Sequence, residues 1–138
     1  MKILSRVITM CVITFICSSN LFAQKVSNET LQGCWKVKSV EFLEPTEDSS
    51  DISNGAKTMI TCFEKNGKFT TKYREEQNEI IVGTGTFKIS ADGKTFTQKR
   101  NADDGGIDPP GEVVLFNNKQ FSIKVDQVIL HFERLGDN

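Results

Sequence analysis

The chain of 138 residues is long enough for one domain, and its 17 basic residues are balanced by 18 acidic ones. A net charge of −1 without a dense basic stretch argues against binding to nucleic acid or to an anionic membrane surface. The only histidine, His131, shares no metal-ligand spacing with the cysteines, so we expect neither a metal nor another cofactor.

The first 23 residues have the features of a secretory signal peptide. Lys2 and Arg6 give a positive start, Val7–Cys17 is an apolar run too short to span a bilayer, and Ala23 is a small residue suited to cleavage. Loss of this leader removes two positive charges, Lys2 and Arg6, so the net charge moves from −1 to −3. We therefore predict export, to the periplasm or the medium, of a single domain spanning Gln24–Asn138.

The cysteines allow two modifications of the exported chain. Cys17 could carry a lipid anchor, but lipid attachment needs a small residue before the cysteine, and Ile16 is large. Cys34 and Cys62 remain after cleavage, and an even number of cysteines outside the cytoplasm permits a disulfide. Such a bridge would close 28 residue steps, from 34 to 62, and stabilise the fold by about 3–4 kcal/mol. Two free, half-buried thiols are the alternative.

Beyond residue 33 the sequence is a series of short strands separated by turn residues. Apolar residues alternate with lysines after Cys34, which is the period of a half-buried strand, and Asn66–Gly67 marks a tight hairpin. A short helical turn over Glu29–Gln32 precedes them. No segment is long enough for a helical crossover, so we predict an all-β fold, a single antiparallel up-and-down barrel of eight strands. The predicted strands are Cys34–Leu43, Lys57–Phe63, Lys68–Arg74, Ile80–Ile89, Lys94–Arg100, Glu112–Phe116, Gln120–Val125 and Gln127–Leu135.

Two long acidic segments distinguish the ends of this barrel. Glu44–Ala56 and Asn101–Gly111 are read as loops, and they form the first and fifth links between strands. Odd-numbered links of an up-and-down barrel all fall at one end. We therefore predict an open end that carries both long loops and an opposite end closed by tight turns.

The only tryptophan, Trp35, begins the first predicted strand at the closed end, and Arg134 lies near the end of the last one. First and last strands are neighbours in a closed barrel, and strand parity places both side chains inside. A guanidinium stacked on an indole contributes about 1–2 kcal/mol when it is partly desolvated. We expect the two residues to plug the base together.

Gly33-Cys34-Trp35 after a short turn, together with Arg134, resembles the lipocalin (calycin) superfamily. In that superfamily an arginine of the last strand packs on the tryptophan of a Gly-x-Trp motif. The resemblance covers Leu31–Leu135 and is nearest to the small, exported, lipocalin-like domain proteins of bacteria. It implies a lipocalin-like barrel, Gln24–Asn138, that binds a small molecule. The chain departs from classical lipocalins in its short length and in having no helix after the last strand.

The alternation of side chains between the two faces of each strand also defines a candidate ligand site at the open end. The predicted wall is apolar with a few polar groups, the usual composition of a small-molecule site. Arg100 could pair with an anionic head group, and Tyr73 could offer its hydroxyl. The candidate ligand-binding residues are Ser39, Glu41, Met59, Tyr73, Ile81, Gln98, Arg100, Val125 and Leu130.

These features favour an exported, non-catalytic binding domain for a small, partly hydrophobic ligand. The alternative is a barrel filled by its own side chains that acts as a protein-interaction module through the long acidic loops. A hydrolase or isomerase is disfavoured because no motif ties a nucleophile or a carboxylate to His131, which should face outward. We expect a monomer without a transmembrane segment in the mature chain.

Overall fold

The structure is a computed structural model that describes residues 25–101 and 106–136. The predicted signal peptide and Cys17 lie outside the described residues. Within the described ranges, no helix has the length and apolar character needed to cross a membrane.

Eight antiparallel strands form one closed barrel in sequence order, with the first strand paired to both the second and the eighth. This confirms the predicted all-β, up-and-down barrel. A short helix, α1 (Asn28–Leu31), precedes the strands. The strands are β1 (Gly33–Phe42), β2 (Met59–Phe63), β3 (Lys68–Glu75), β4 (Asn78–Ile89), β5 (Thr95–Arg100), β6 (Gly111–Phe116), β7 (Gln120–Val125) and β8 (Val128–Arg134).

The first long link is not entirely a loop. It contains a second helix, α2 (Ser49–Ala56), which lies beside β1 and buries none of its residues. The Ser49 hydroxyl accepts a hydrogen bond from the amide of Thr46, and the Ile52 amide bonds to the carbonyl of Asp48. The helix was missed in the sequence because it lacks the apolar stripe that gives a packed helix its period, and because Asn54-Gly55 is typical of a turn.

The base of the barrel is a solid aromatic core. Trp35 and Phe121 are fully buried, with ring centroids 5.9 Å apart, and Phe96 lies edge-to-face with Phe121 at 6.0 Å. Such offset and edge-to-face pairs are the preferred aromatic geometries. Most of the phenylalanines of the strands are therefore core residues, and they fill the closed half of the barrel: Phe63, Phe69, Phe87, Phe96, Phe116 and Phe121.

Arg134 and α1 seal this base from outside. The Trp35 indole donates to the carbonyl of Leu31 over 2.8 Å, and the Arg134 guanidinium lies 4.2 Å from the indole centroid. Arg134 also donates to the carbonyls of Thr30 at 2.7 Å, Asn118 at 2.8 Å and Gln32. The guanidinium thus contacts α1, a tight turn and the tryptophan at the same time.

A disulfide fastens the first two strands on the outer face of the barrel. Cys34 and Cys62 are direct cross-strand neighbours, and their sulfur atoms are bonded. The bridge lies at the level of Trp35, so it holds β1 to β2 beside the aromatic core.

In the part of the chain that the structure describes, three β-bulges interrupt the regular alternation of the barrel wall. The pairing register shifts at Lys38 in β1, at Val82 in β4 and at Val114 in β6. Each extra residue moves the following side chains to the opposite face of the sheet. The bulges at Lys38 and Val82 lie between the core and the open end, so they decide which side chains line the mouth.

Candidate functional site

The open end of the barrel lies above the aromatic core. The links after β1, β3, β5 and β7 lie at this end, and the first of them contains α2. Most inner side chains near this end are half-buried, in contrast to the fully buried residues of the base. Apolar side chains that remain partly exposed inside a barrel are surface available to a ligand.

Six of the nine candidate ligand residues lie on the inner face. Met59 pairs with Tyr73 across β2 and β3, in the same phase as the buried pair Phe63 and Phe69. On β7 and β8, Val125 and Leu130 are in phase with the buried Phe121 and pack against the core cluster. Gln98 and Arg100 complete the set on β5, in phase with Phe96.

The inward placement of Ser39 and Glu41 is wrong. The bulge at Lys38 shifts the register, so Ser39 pairs with His131 and Glu41 with Ile129, both on the outer face of β8. Val40 and Phe42 take the inner positions opposite Leu130 and Val128, and both are half-buried. The inner wall at β1 is therefore apolar, where the sequence parity predicted a hydroxyl and a carboxylate.

The inward placement of Ile81 is also wrong, for the same physical reason. The bulge at Val82 pairs Ile81 with Lys72 on the outer face, where 62% of its surface is exposed. Ile80 replaces it on the inner face, opposite Tyr73.

Arg100 already has an anionic partner at the mouth. Its Nε lies 3.2 Å from Oδ1 of Asp108, and the amide of Asp108 donates to the carbonyl of Gln98 over 3.0 Å. Ile107 forms a bridge with Lys99 beside this pair. The segment around Asp108 therefore follows the open-end half of β5, where β6 does not pair, and it neutralises the one inner-face cation of the mouth in the described residues.

His131 has partners that no sequence motif indicated. Its Nδ1 lies 2.8 Å from the hydroxyl of Ser122, and its Nε2 lies 3.2 Å from Oε2 of Glu41. A carboxylate only accepts hydrogen bonds, so a neutral His131 carries its proton on Nε2 and accepts from Ser122. Ser122 is only 2% exposed, whereas a nucleophile must be presented to its substrate. We interpret the trio as a tie between β1, β7 and β8 on the outer face.

Charge on the β3–β4 hairpin is paired within the chain. Glu79 lies 2.8 Å from Arg74 and 3.4 Å from Lys72. The hydrogen bond from the Arg74 guanidinium and then that from Lys72 hold the pKa of Glu79 below its ordinary value. Among the described residues, no group of three or more His, Cys, Asp or Glu side chains could hold a metal ion.

Sequence reasoning missed the inner residues Val40, Phe42 and Ile80. Their only signal is that Val40 and Phe42 are apolar while Ser39 and Glu41 are polar, which favours a change of phase after Val37. The run Ile80-Ile81-Val82 gives no such signal, because all three side chains are apolar.

The comparisons with known proteins identify the fold. No protein-family model and no curated protein matches the chain. An uncharacterised protein from Bacteroides eggerthii superposes with a TM-score of 0.60 at 11% identity, over 76% of this chain and 99% of that one. A lipocalin-like protein from Bacteroides uniformis gives 0.59 at 11% identity, over 77% and 99%. A second Bacteroides uniformis protein, solved by NMR, gives 0.52 at 17% identity, over 83% and 97%. The chain therefore has a lipocalin-like fold.

Proposed function

We propose that this protein binds a small, partly hydrophobic molecule in the open end of its barrel, without catalysis and outside the cytoplasm. The observation that carries the proposal is the contrast between the two halves of the interior. The base is filled by aromatic side chains, whereas the apolar residues of the mouth stay half-exposed in a fold that resembles a lipocalin. Export rests on the sequence of the leader alone.

The lining suggests the chemistry of the ligand. Val40, Phe42 and Leu130 would desolvate an apolar body, at roughly 25 cal/mol for each Å² removed from water. Tyr73 and Gln98 offer a hydroxyl and an amide to a polar head. Because Arg100 is already paired with Asp108, a neutral polar head fits this mouth better than an anionic one.

The test compares binding of a neutral apolar fluorophore, N-phenyl-1-naphthylamine, by matched variants of neighbouring residues on opposite faces. Leu130→Trp fills the mouth, whereas Ile129→Trp adds the same bulk to the outer face. We expect Leu130→Trp to weaken binding about tenfold, equivalent to about 1.4 kcal/mol, and Ile129→Trp to change it less than about twofold. Equal effects of the two substitutions, or no binding by the wild-type protein, would contradict the proposal.

Native mass spectrometry of the protein, exported in bacteria and kept without reductant, tests for a natural ligand. A non-covalent mass of a few hundred daltons that is lost on denaturation would define the ligand class. A clean mass of the polypeptide together with no fluorophore binding would favour the alternative, a solid barrel that binds a protein through its long loops. The exposed Ile52 on α2, 54% accessible, is the observation that favours this second function.

A further inference from the structure

We propose that the edge of β4 at the open end of the barrel is a self-association surface, through which two copies of this chain pair antiparallel. The proposal concerns Asn78–Gly83, which we name the β4 edge. It does not rest on the proposed ligand binding, because it depends on the backbone of the rim and on the outward Ile81, although Ile80 of the same segment also faces the mouth.

On the side that faces β5, the backbone of the β4 edge has no strand partner among residues 25–101 and 106–136. β4 is 12 residues long and pairs with β3 along most of its length, up to Glu75 and Asn78. On its other side, pairing with β5 ends at Gly85, and the carbonyl of Thr84 accepts one further bond from Asn101. Among the described residues, none pairs with Asn78–Gly83 on this side. A free row of amides and carbonyls is a template for another strand.

The same edge exposes apolar side chains. Ile80, Ile81 and Val82 are 52%, 62% and 52% exposed, three consecutive residues of this kind. A groove of about 330 Å³ runs along the edge and is lined by Ile81–Thr84, Arg100 and Asn101. Proteins usually protect such edges with lysine, proline or short strands, and Asn78–Gly83 contains neither residue. An extended apolar segment would bury this surface and satisfy the backbone at once.

A second copy fits the β4 edge because the edge is complementary to itself. Antiparallel pairing centred on Ile81 places Ile81 opposite its symmetry mate, Ile80 opposite Val82, and Glu79 opposite Gly83. Apolar residues therefore meet apolar residues across a two-fold axis, as an isologous interface requires.

The negative charge of the β4 edge is compensated within each copy. Glu79 is the only charged residue of Asn78–Gly83, and it lies in ion pairs with Lys72 and Arg74. The paired segment is short and the interface would fall below the usual size of a stable dimer, so we expect association to depend on concentration in the range of about 1–300 μM.

The test is sedimentation equilibrium of the exported protein with its disulfide intact, across that range of concentrations. We expect the mass-average mass to rise from one copy towards two. Ile81→Lys should raise the dimer dissociation constant at least about tenfold. Leu115→Lys, a matched change at another outward apolar residue that is 43% exposed, should leave it within about twofold.

Backbone pairing is tested separately from apolar contact. Val82→Pro removes an amide but keeps an apolar side chain, and it should also abolish the dimer. In the wild-type protein, amide exchange at residues 79–83 should slow as the concentration rises, a measurement that needs no variant to fold. A monomer at every concentration, unchanged exchange at these amides, or equal effects of the two lysine substitutions would overturn the proposal.

Discussion

Arg134→Ala should destabilise the barrel by about 3–4 kcal/mol, although the guanidinium lies outside the apolar core. The side chain donates to the carbonyls of Thr30, Gln32 and Asn118 and stacks 4.2 Å from the Trp35 ring centroid. A hydrogen bond to a charged group contributes about 1.5–3 kcal/mol when it is shielded, and a partly exposed cation–π contact about 1 kcal/mol. Water can replace the guanidinium at the more exposed carbonyls, so the three bonds do not add in full.

The conservative variant separates geometry from charge. Arg134→Lys keeps the positive charge, but a single ammonium cannot reach three carbonyls that lie in different directions. We expect it to lose about 2 kcal/mol, between the wild-type protein and Arg134→Ala. If charge alone mattered, the lysine variant would instead be as stable as the wild-type protein.

Urea unfolding followed by fluorescence measures these differences, because Trp35 is the only tryptophan and lies beside the changed residue. With a urea dependence of about 1–3 kcal/mol/M, the midpoint for Arg134→Ala should fall by roughly 2 M. Lys36→Ala, an exposed residue on the outer face of β1, serves as the control and should change stability by less than about 0.5 kcal/mol. An Arg134→Ala midpoint equal to that of the control would refute this account of the base.

Further consequences can be tested with similar means. Gly85→Ala should destabilise by about 3 kcal/mol or more in urea unfolding, because its methyl group would overlap the carbonyl oxygen of Lys99, whereas Gly83→Ala meets open space and should change stability little. Reduction of the disulfide between β1 and β2 should lower the free energy of unfolding by about 3–4 kcal/mol, and an unchanged urea midpoint with reductant would contradict this. Because the pKa of Glu79 is lowered in the folded protein, its ion pairs contribute fully to stability above the ordinary pKa, and this contribution is lost as the pH falls through the lowered value. Arg74→Ala should raise the pKa of Glu79 in an NMR titration of its carboxyl carbon. An unchanged pKa would disprove the guanidinium as the main cause of the shift.

The sequence predicted the barrel and its base well because both depend on strong local signals. Alternation of large apolar residues with charged ones fixes the strands, and tight turns such as Asn66–Gly67 fix their antiparallel order. Once eight strands close, β1 must lie beside β8, so the contact between Trp35 and Arg134 follows from topology. The helix α2 was missed because its energy comes from local backbone bonds, which leave no apolar period in the sequence.

The side chains that line the rim could not all be predicted, because the alternation of inner and outer faces along a strand holds only up to a bulge. The strands are anchored by aromatic residues in the base, and the phase counted from there is correct for Met59, Val125 and Leu130, whose strands contain no extra residue. Beyond Lys38 and Val82 the phase reverses, and every residue counted through those positions changes face. A bulge depends on how two strands twist against each other, a property of the pair that neither strand encodes alone.

The same two bulges give the open end its character. At β1 the reversal moves Ser39 and Glu41 outside, where Glu41 joins His131, and it brings Val40 and Phe42 into the mouth. At β4 it turns Ile81 outward onto the edge proposed for self-association. Both the apolar lining of the proposed ligand site and the apolar strip on the rim thus arise from one extra residue in each strand, with no change in the strand order that defines the fold.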